Sequence, residues 1–258
     1  MMFNNIINHL KLWCNNKANI YQRAYQENKG ILYVGYQLAY ELEFKLLTLI
    51  DKPFESKADF KNEVLTLIDV HYEPSILNPQ NNLVNHIVEK INQEFRVFLE
   101  EILSQEELTV ADVPYERTIV GLEASELQEK FRSVWGYVNT SYWFPLMGDE
   151  PKEVSDKFFV MLDYFEPYMK QFEQIIGLPQ KHIYKFGEND FRPQNCIETV
   201  EMNEYGGLEI IYTDKAFSWA VYFSHEDTVA FAGSIVPQIK ELLSKEKEHW
   251  NKFEWNLE

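Results

Sequence analysis

Two cysteines in 258 residues, Cys14 and Cys196, leave the chain without a disulfide framework or a cysteine-rich metal site. No apolar run approaches the ~18 residues of a membrane span, so no transmembrane helix is expected. The opening stretch MMFNNIINHLKLW lacks a charged segment followed by an apolar core, so no secretion signal is expected and a reducing cytoplasm is the natural location. The sequence contains no GxxxxGK[ST], GxGxxG, HExxH, GxSxG or CxxC. The common nucleotide, zinc-hydrolase and serine-hydrolase assignments therefore lose their usual sequence support. Positive charge is also scarce. There are 24 Lys and Arg against 41 Asp and Glu, a balance of −17. Such a surface repels phosphate, which argues against nucleic acid and anionic membrane as partners.

What is present is ample material for a core, 45% hydrophobic and 15% aromatic, which excludes global disorder. The charge is unevenly spread. Residues 1–105 carry 10 Lys and Arg against 13 Asp and Glu, a balance of −3, and residues 106–258 carry 14 against 28, a balance of −14. The acidic part favours a basic partner. Its plain alternative is solubility.

Residues 1–105 read as mainly helical. Phe3, Ile6, Ile7, Leu10, Trp13 and Cys14 form one helical stripe. From Leu32 to Leu46 every second residue is apolar, as in a strand, but the length and the Leu, Glu and Lys content favour a helix, closed by Pro53. Ser56 can cap a helix through Asp69, and residues 73–79 form a loop. Asn81 or Asn82 starts a long helix to about Leu103, with Leu83, Ile87, Ile91, Phe95, Phe98 or Leu99, and Ile102 inward. The polar stretch Ser104–Pro114 is the expected boundary.

The remainder reads as strands and helices: a strand at 115–120, a helix from Ser125 to Trp135, helical stripes over 152–176 interrupted by Pro167, then strands at 183–186, 197–202 and 208–213. Trp219–Gly233, WAVYFSHEDTVAFAG, is the clearest hairpin, two alternating strands around His225-Glu226-Asp227. A helix with Ile235, Val236, Ile239, Leu242 and Leu243 follows, Pro237 in its first turn. The expected fold is α+β: a helical region 1–105, and a domain 106–258 whose antiparallel sheet is packed by helices.

His225 and Glu226 have side chains suited to proton transfer, but adjacent hairpin residues seldom converge, and a metal needs three or four ligands. The plain alternative is that Ser224, Glu226 and Asp227 satisfy turn N–H groups. Arg117, Glu188, Arg192, Glu209 and His225 lie on or beside strands and could share a pocket, or form a buried Arg–Glu pair. Tyr137, Tyr142, Trp143 and Phe144 either plug the core or anchor an interface. Glu43-Phe-Lys45 echoes the end of a metal-dependent nuclease core, but residues 1–42 hold no Asp to bind magnesium.

A wider pattern combines Arg117, Trp135-Gly136, Tyr142-Trp143-Phe144-Pro145-Leu146, Gly187-Glu188, Trp219, Tyr222, Ser224-His225-Glu226 and Gly233. In this pattern residues 115–233 resemble an uncharacterised group of bacterial proteins with no assigned chemistry. These look like the acidic proteins encoded near polymorphic toxins. The resemblance implies an immunity protein, an antitoxin-like binder of a basic toxin. The expectation is thus a cytoplasmic protein that sequesters a basic protein partner and needs no cofactor or metal. The candidate binding residues are Arg117, Tyr142, Trp143, Glu188, Arg192, Trp219, Tyr222, His225 and Glu226. The alternative is a small-ligand or enzymatic pocket around His225 and Glu226.

Overall fold

A short polar side chain sets one helix start plainly. Ser56 Oγ accepts the backbone N–H of Asp59 at 3.1 Å, and Asp59 Oδ2 accepts that of Glu55 at 3.2 Å. This reciprocal cap begins α3, Lys57–Asp69, after α1 (Met2–Asn28) and α2 (Leu32–Leu47) and before α4 (Asn82–Ser104). The computed structural model describes residues 2–28, 32–69, 82–135, 156–187, 194–200, 209–224 and 226–253. The expected loop at 73–79 lies outside them. The chain divides into two compact units, Met1–Val113 and Pro114–Glu258.

In the first unit the ambiguous segment is the helix α2. Val34, Leu38, Ala39, Leu42, Leu46 and Leu47 are buried at helical spacing. Tyr36 and Tyr40, which complete the apparent alternation, stack on each other at 6.2 Å as an i, i+4 pair, Tyr40 being exposed. In α4, Leu99 takes the core position, while Phe98 stacks on Trp13 of α1 at 6.1 Å. Cys14 lies fully buried in α1, and burial, reinforced by Glu43, pushes its thiol well above the usual range. Lys11 of α1 reaches Glu43 of α2 at 3.9 Å. The polar stretch after α4 is strapped to α1. Asn5 Nδ2 donates to Thr109 O at 3.0 Å, Asn5 Oδ1 accepts from Ala111 N at 2.8 Å, and His9 bonds Thr109 O at 2.8 Å. The unit boundary falls after Val113, at the far end of the polar stretch Ser104–Pro114.

The second unit is built on a seven-stranded, wholly antiparallel sheet of β1 (Glu116–Ile119), β2 (Lys157–Met161), β3 (Ile183–Gly187), β4 (Gln194–Ile197), β5 (Ile210–Thr213), β6 (Trp219–Phe223) and β7 (Thr228–Gly233). Their spatial order is β1-β4-β3-β5-β6-β7-β2. Among the described residues four α-helices accompany it: α5 (Gly121–Trp135), α6 (Leu162–Phe165), α7 (Met169–Ile175) and α8 (Val236–Leu242). The fold is α+β.

The sheet is covered on both faces. Trp219, Val221 and Phe223 of β6 face α6, α7 and α8 with Phe231, Phe158, Phe165, Phe172 and Ile239. Ala220, Tyr222, Ala230 and Ala232 face α5, whose Phe131 and Trp135 pack on them. Large side chains thus line one face. Alanines line much of the other, where the helix comes close to the backbone.

Three expectations are corrected. Residues 157–161 form the edge strand β2, paired to β7 from Lys157↔Ala232 to Met161↔Thr228, and only Leu162 onward is helical. Phe158 and Val160 enter one core layer and Phe159 the other, so no polar residue marks the strand period. The strand expected at 197–202 is β4, ending at Ile197. The helix expected from Ser125 begins at Gly121, and Ser125 Oγ bonds back to Gly121 O at 3.3 Å inside the helix. The expected loop at 203–207 lies outside the described residues.

Beyond α8 and a short 3-10 turn, Ser244–His249, the chain straddles the β2 edge. Trp250 packs on Phe158 on one face (centroids 5.1 Å apart) and Phe253 on Phe159 on the other (4.6 Å). Between them Asn251 N donates to Phe159 O at 2.8 Å, and Phe159 N donates to Asn251 Oδ1 at 3.0 Å.

Candidate functional site

The turn between β6 and β7 is closed by Ser224 N donating to Thr228 O at 3.0 Å. Ser224 does the local capping: its Oγ accepts Glu226 N at 3.2 Å and lies 3.5 Å from Glu209 Oε1, to which it donates. This frees the Glu226 and Asp227 carboxylates from the turn, and both residues are exposed. Asp227 takes a left-handed backbone (φ 52), which Asp tolerates better than most residues.

Asp227 O also accepts the N–H of Leu162 at 2.7 Å, which ties the turn to the first residue of α6. Asp163, next in the chain, and Glu166, one helical turn on, are exposed as well. The corner therefore gathers Asp163, Glu166, Glu226 and Asp227. Among the described residues none of the four is held in an ion pair. Behind them lies a small buried polar group: Glu209 is 3% exposed, Ser224 5% and Thr228 0%, and Thr228 Oγ1 has no hydrogen-bond partner among the described residues.

Of the residues singled out from sequence, Glu226 belongs to this corner. Trp219 and Tyr222 are core, 7% and 3% exposed, on opposite faces of β6. Arg117 sits on β1, four strand steps from β6, which is about 19 Å at ~4.8 Å per step. The sheet therefore does not bring Arg117 to Glu226. Tyr142, Trp143, Glu188, Arg192 and His225, with Tyr137 and Phe144, lie outside the described residues. Among the described residues no group of three or more His, Cys, Asp or Glu is placed to hold a metal ion, and no helix is long and apolar enough to cross a membrane. Asp163 and Glu166 escaped the sequence reading. Their stretch reads as helix from 152 up to the interruption at Pro167 until β2 is recognised, and nothing local signals that the helix start meets the turn.

Arg117 has a structural task. Its two terminal nitrogens donate to Glu123 at 2.9 and 2.6 Å, a bidentate clamp from β1 to the first turn of α5. The hydrogen bond to Arg117 holds the Glu123 carboxyl below its ordinary value of 4.5. A carboxyl lowered by folding stabilises fully above 4.5 and loses that contribution as pH falls through its folded value. Both groups are partly solvated, so the contribution is about 0.5–1 kcal/mol. The expected result is that Glu123→Gln is less stable than the wild type by that amount at pH 7 and equal to it near pH 2–3. Urea denaturation at the two pH values reads the difference, and an equal gap at both would refute the clamp.

Compared with protein-family models, curated proteins and solved structures, the chain matches none.

Proposed function

We propose that this is a binding protein for a basic protein partner, most specifically an immunity protein that sequesters a toxin in the cytoplasm. One observation carries the reading: four carboxylates, Asp163, Glu166, Glu226 and Asp227, are exposed at one corner without a cationic partner among the described residues. They belong to a unit that is acidic throughout, with 14 Lys and Arg against 25 Asp and Glu in Pro114–Glu258, a balance of −11. Clustered surface charge steers an oppositely charged partner and fixes its orientation, while apolar contacts supply most of the affinity. The same acidity opposes nucleic acid and anionic membranes.

The test is capture of partners by the tagged chain from its native cell at low and high salt, with mass spectrometry of what is retained. The expected catch is a basic protein that weakens at high salt. Its association with a variant carrying Lys at 163, 166, 226 and 227 is expected to be slower by about tenfold or more at low salt. Unchanged association by the variant would sink the proposal. A second reading, a small-ligand or enzymatic pocket around His225 and Glu226, is favoured by the buried Glu209–Ser224 contact behind the turn. An empty column at low salt moves the weight to it.

A further inference from the structure

We propose that the depression between the α7–β3 turn and the β5–β6 turn binds the anionic head, phosphate or carboxylate, of a small molecule with an apolar body. This site is separate from the acidic corner and does not rest on the protein-binding reading. Pairing of β3 with β5, Tyr184↔Thr213, sets Lys181 and His182 beside Asp214 and Lys215. The space between them is about 440 Å³, and Ile176 and Ile183, both buried, supply apolar lining. The volume lies within the range of small-ligand sites, although the depression is open and its rim is mostly polar.

The elements that carry these residues are held by several contacts. Lys181 N donates to Gly177 O at 3.0 Å, and the lysine stem lies along Gly177, its Cδ 3.0 Å from where a Cβ would stand. His182 stacks on Tyr115 with centroids 4.0 Å apart and planes 3° from parallel. Lys130 holds the other turn, its Nζ 4.5 Å above the Phe217 ring and 3.4 Å from Lys215 O. The acid in the lining, Asp214, is already engaged: Oδ1 accepts Ser218 N at 2.7 Å and Oδ2 accepts Ser218 Oγ at 2.6 Å. Among the described residues neither Lys181 nor Lys215 has a carboxylate partner. In a unit of net charge −11, two ammonium groups against the single Asp214 carboxylate leave this concavity locally positive, which suits an anion, with the His182 ring as a further hydrogen-bonding group.

The experiment is titration of the full chain at low salt with phenyl phosphate, benzoate and inorganic phosphate, followed by calorimetry and by the amide shifts of His182 and Ala216. At least one aromatic anion is expected to saturate with a dissociation constant of about 1 mM or tighter. Phenyl phosphate against benzoate distinguishes the two heads, and inorganic phosphate alone measures what the body adds. A Lys181→Ala, Lys215→Ala double variant is expected to bind about tenfold more weakly, and a Lys245→Ala control unchanged. Both lysines are exposed, so the double variant folds. Absence of saturation by all three probes up to about 10 mM, or equal affinity in the double variant, would overturn the proposal.

Discussion

Gly233→Ala is expected to destabilise the second unit by about 3–5 kcal/mol. Gly233 ends β7 with φ +79, a left-handed backbone that costs a residue with a side chain about 1–2 kcal/mol. The larger cost is steric. An added Cβ would stand 2.5 Å from Ser218 O and 2.5 Å from Cη2 of Trp135. Neither neighbour can move cheaply. Ser218 O accepts Ser234 N at 3.0 Å, Ser218 is bonded twice to Asp214, and Trp135 is the buried end of α5. Gly121 supplies the comparison, because it has φ +66 with nothing within 4 Å of its would-be Cβ. Gly121→Ala should therefore show the backbone cost alone, about 1 kcal/mol. Thermal unfolding of the two variants separates the contributions, with Gly233→Ala melting about 10 °C or more below the wild type. Equal losses in the two variants would show that Trp135 does not rest on Gly233.

A loss of similar size is expected from Phe231→Ala, about 3–5 kcal/mol. Phe231 is fully buried in β7, at the centre of the aromatic layer between sheet and helices. Its centroid lies 5.3 Å from Phe158, 5.1 Å from Phe165 and 6.3 Å from Phe172. One ring thus joins the edge strand β2 to α6 and α7. Its removal leaves a cavity whose walls are held by separate elements, so collapse cannot fill it. Denaturant unfolding reads the loss as a lower midpoint at unchanged slope. A cost below about 1.5 kcal/mol would show that this layer repacks freely.

Much of this architecture is legible in the residues themselves. The α4 stripe, the Ser56 cap and the Trp219–Gly233 hairpin each follow from patterns within a single element. The elements that escape have patterns that depend on partners. β2 reads Lys-Phe-Phe-Val-Met because both its faces are covered, and such a run has no strand period. In β6 the alternation is visible, but it separates two core layers, so the binding candidates Trp219 and Tyr222 are packing residues. The acidity of the second half is legible. The grouping of Asp163 and Glu166 with Glu226 and Asp227 is not, because it depends on one backbone hydrogen bond between residues 65 positions apart, Leu162 and Asp227. Lys181 and Lys215 are likewise joined only through the pairing of β3 with β5.

The chain around Asn251 has a consequence for self-association. On a paired strand the outward-pointing peptide groups fall on alternate residues, here Lys157, Phe159 and Met161. Asn251 occupies both groups of the middle one, and Trp250 and Phe253 grip the two sides. The row is thereby blocked at its centre, which denies another molecule a continuous template there. A single asparagine thus does at this position what the backbone of an added strand would do, taking up both the donor and the acceptor of one edge residue.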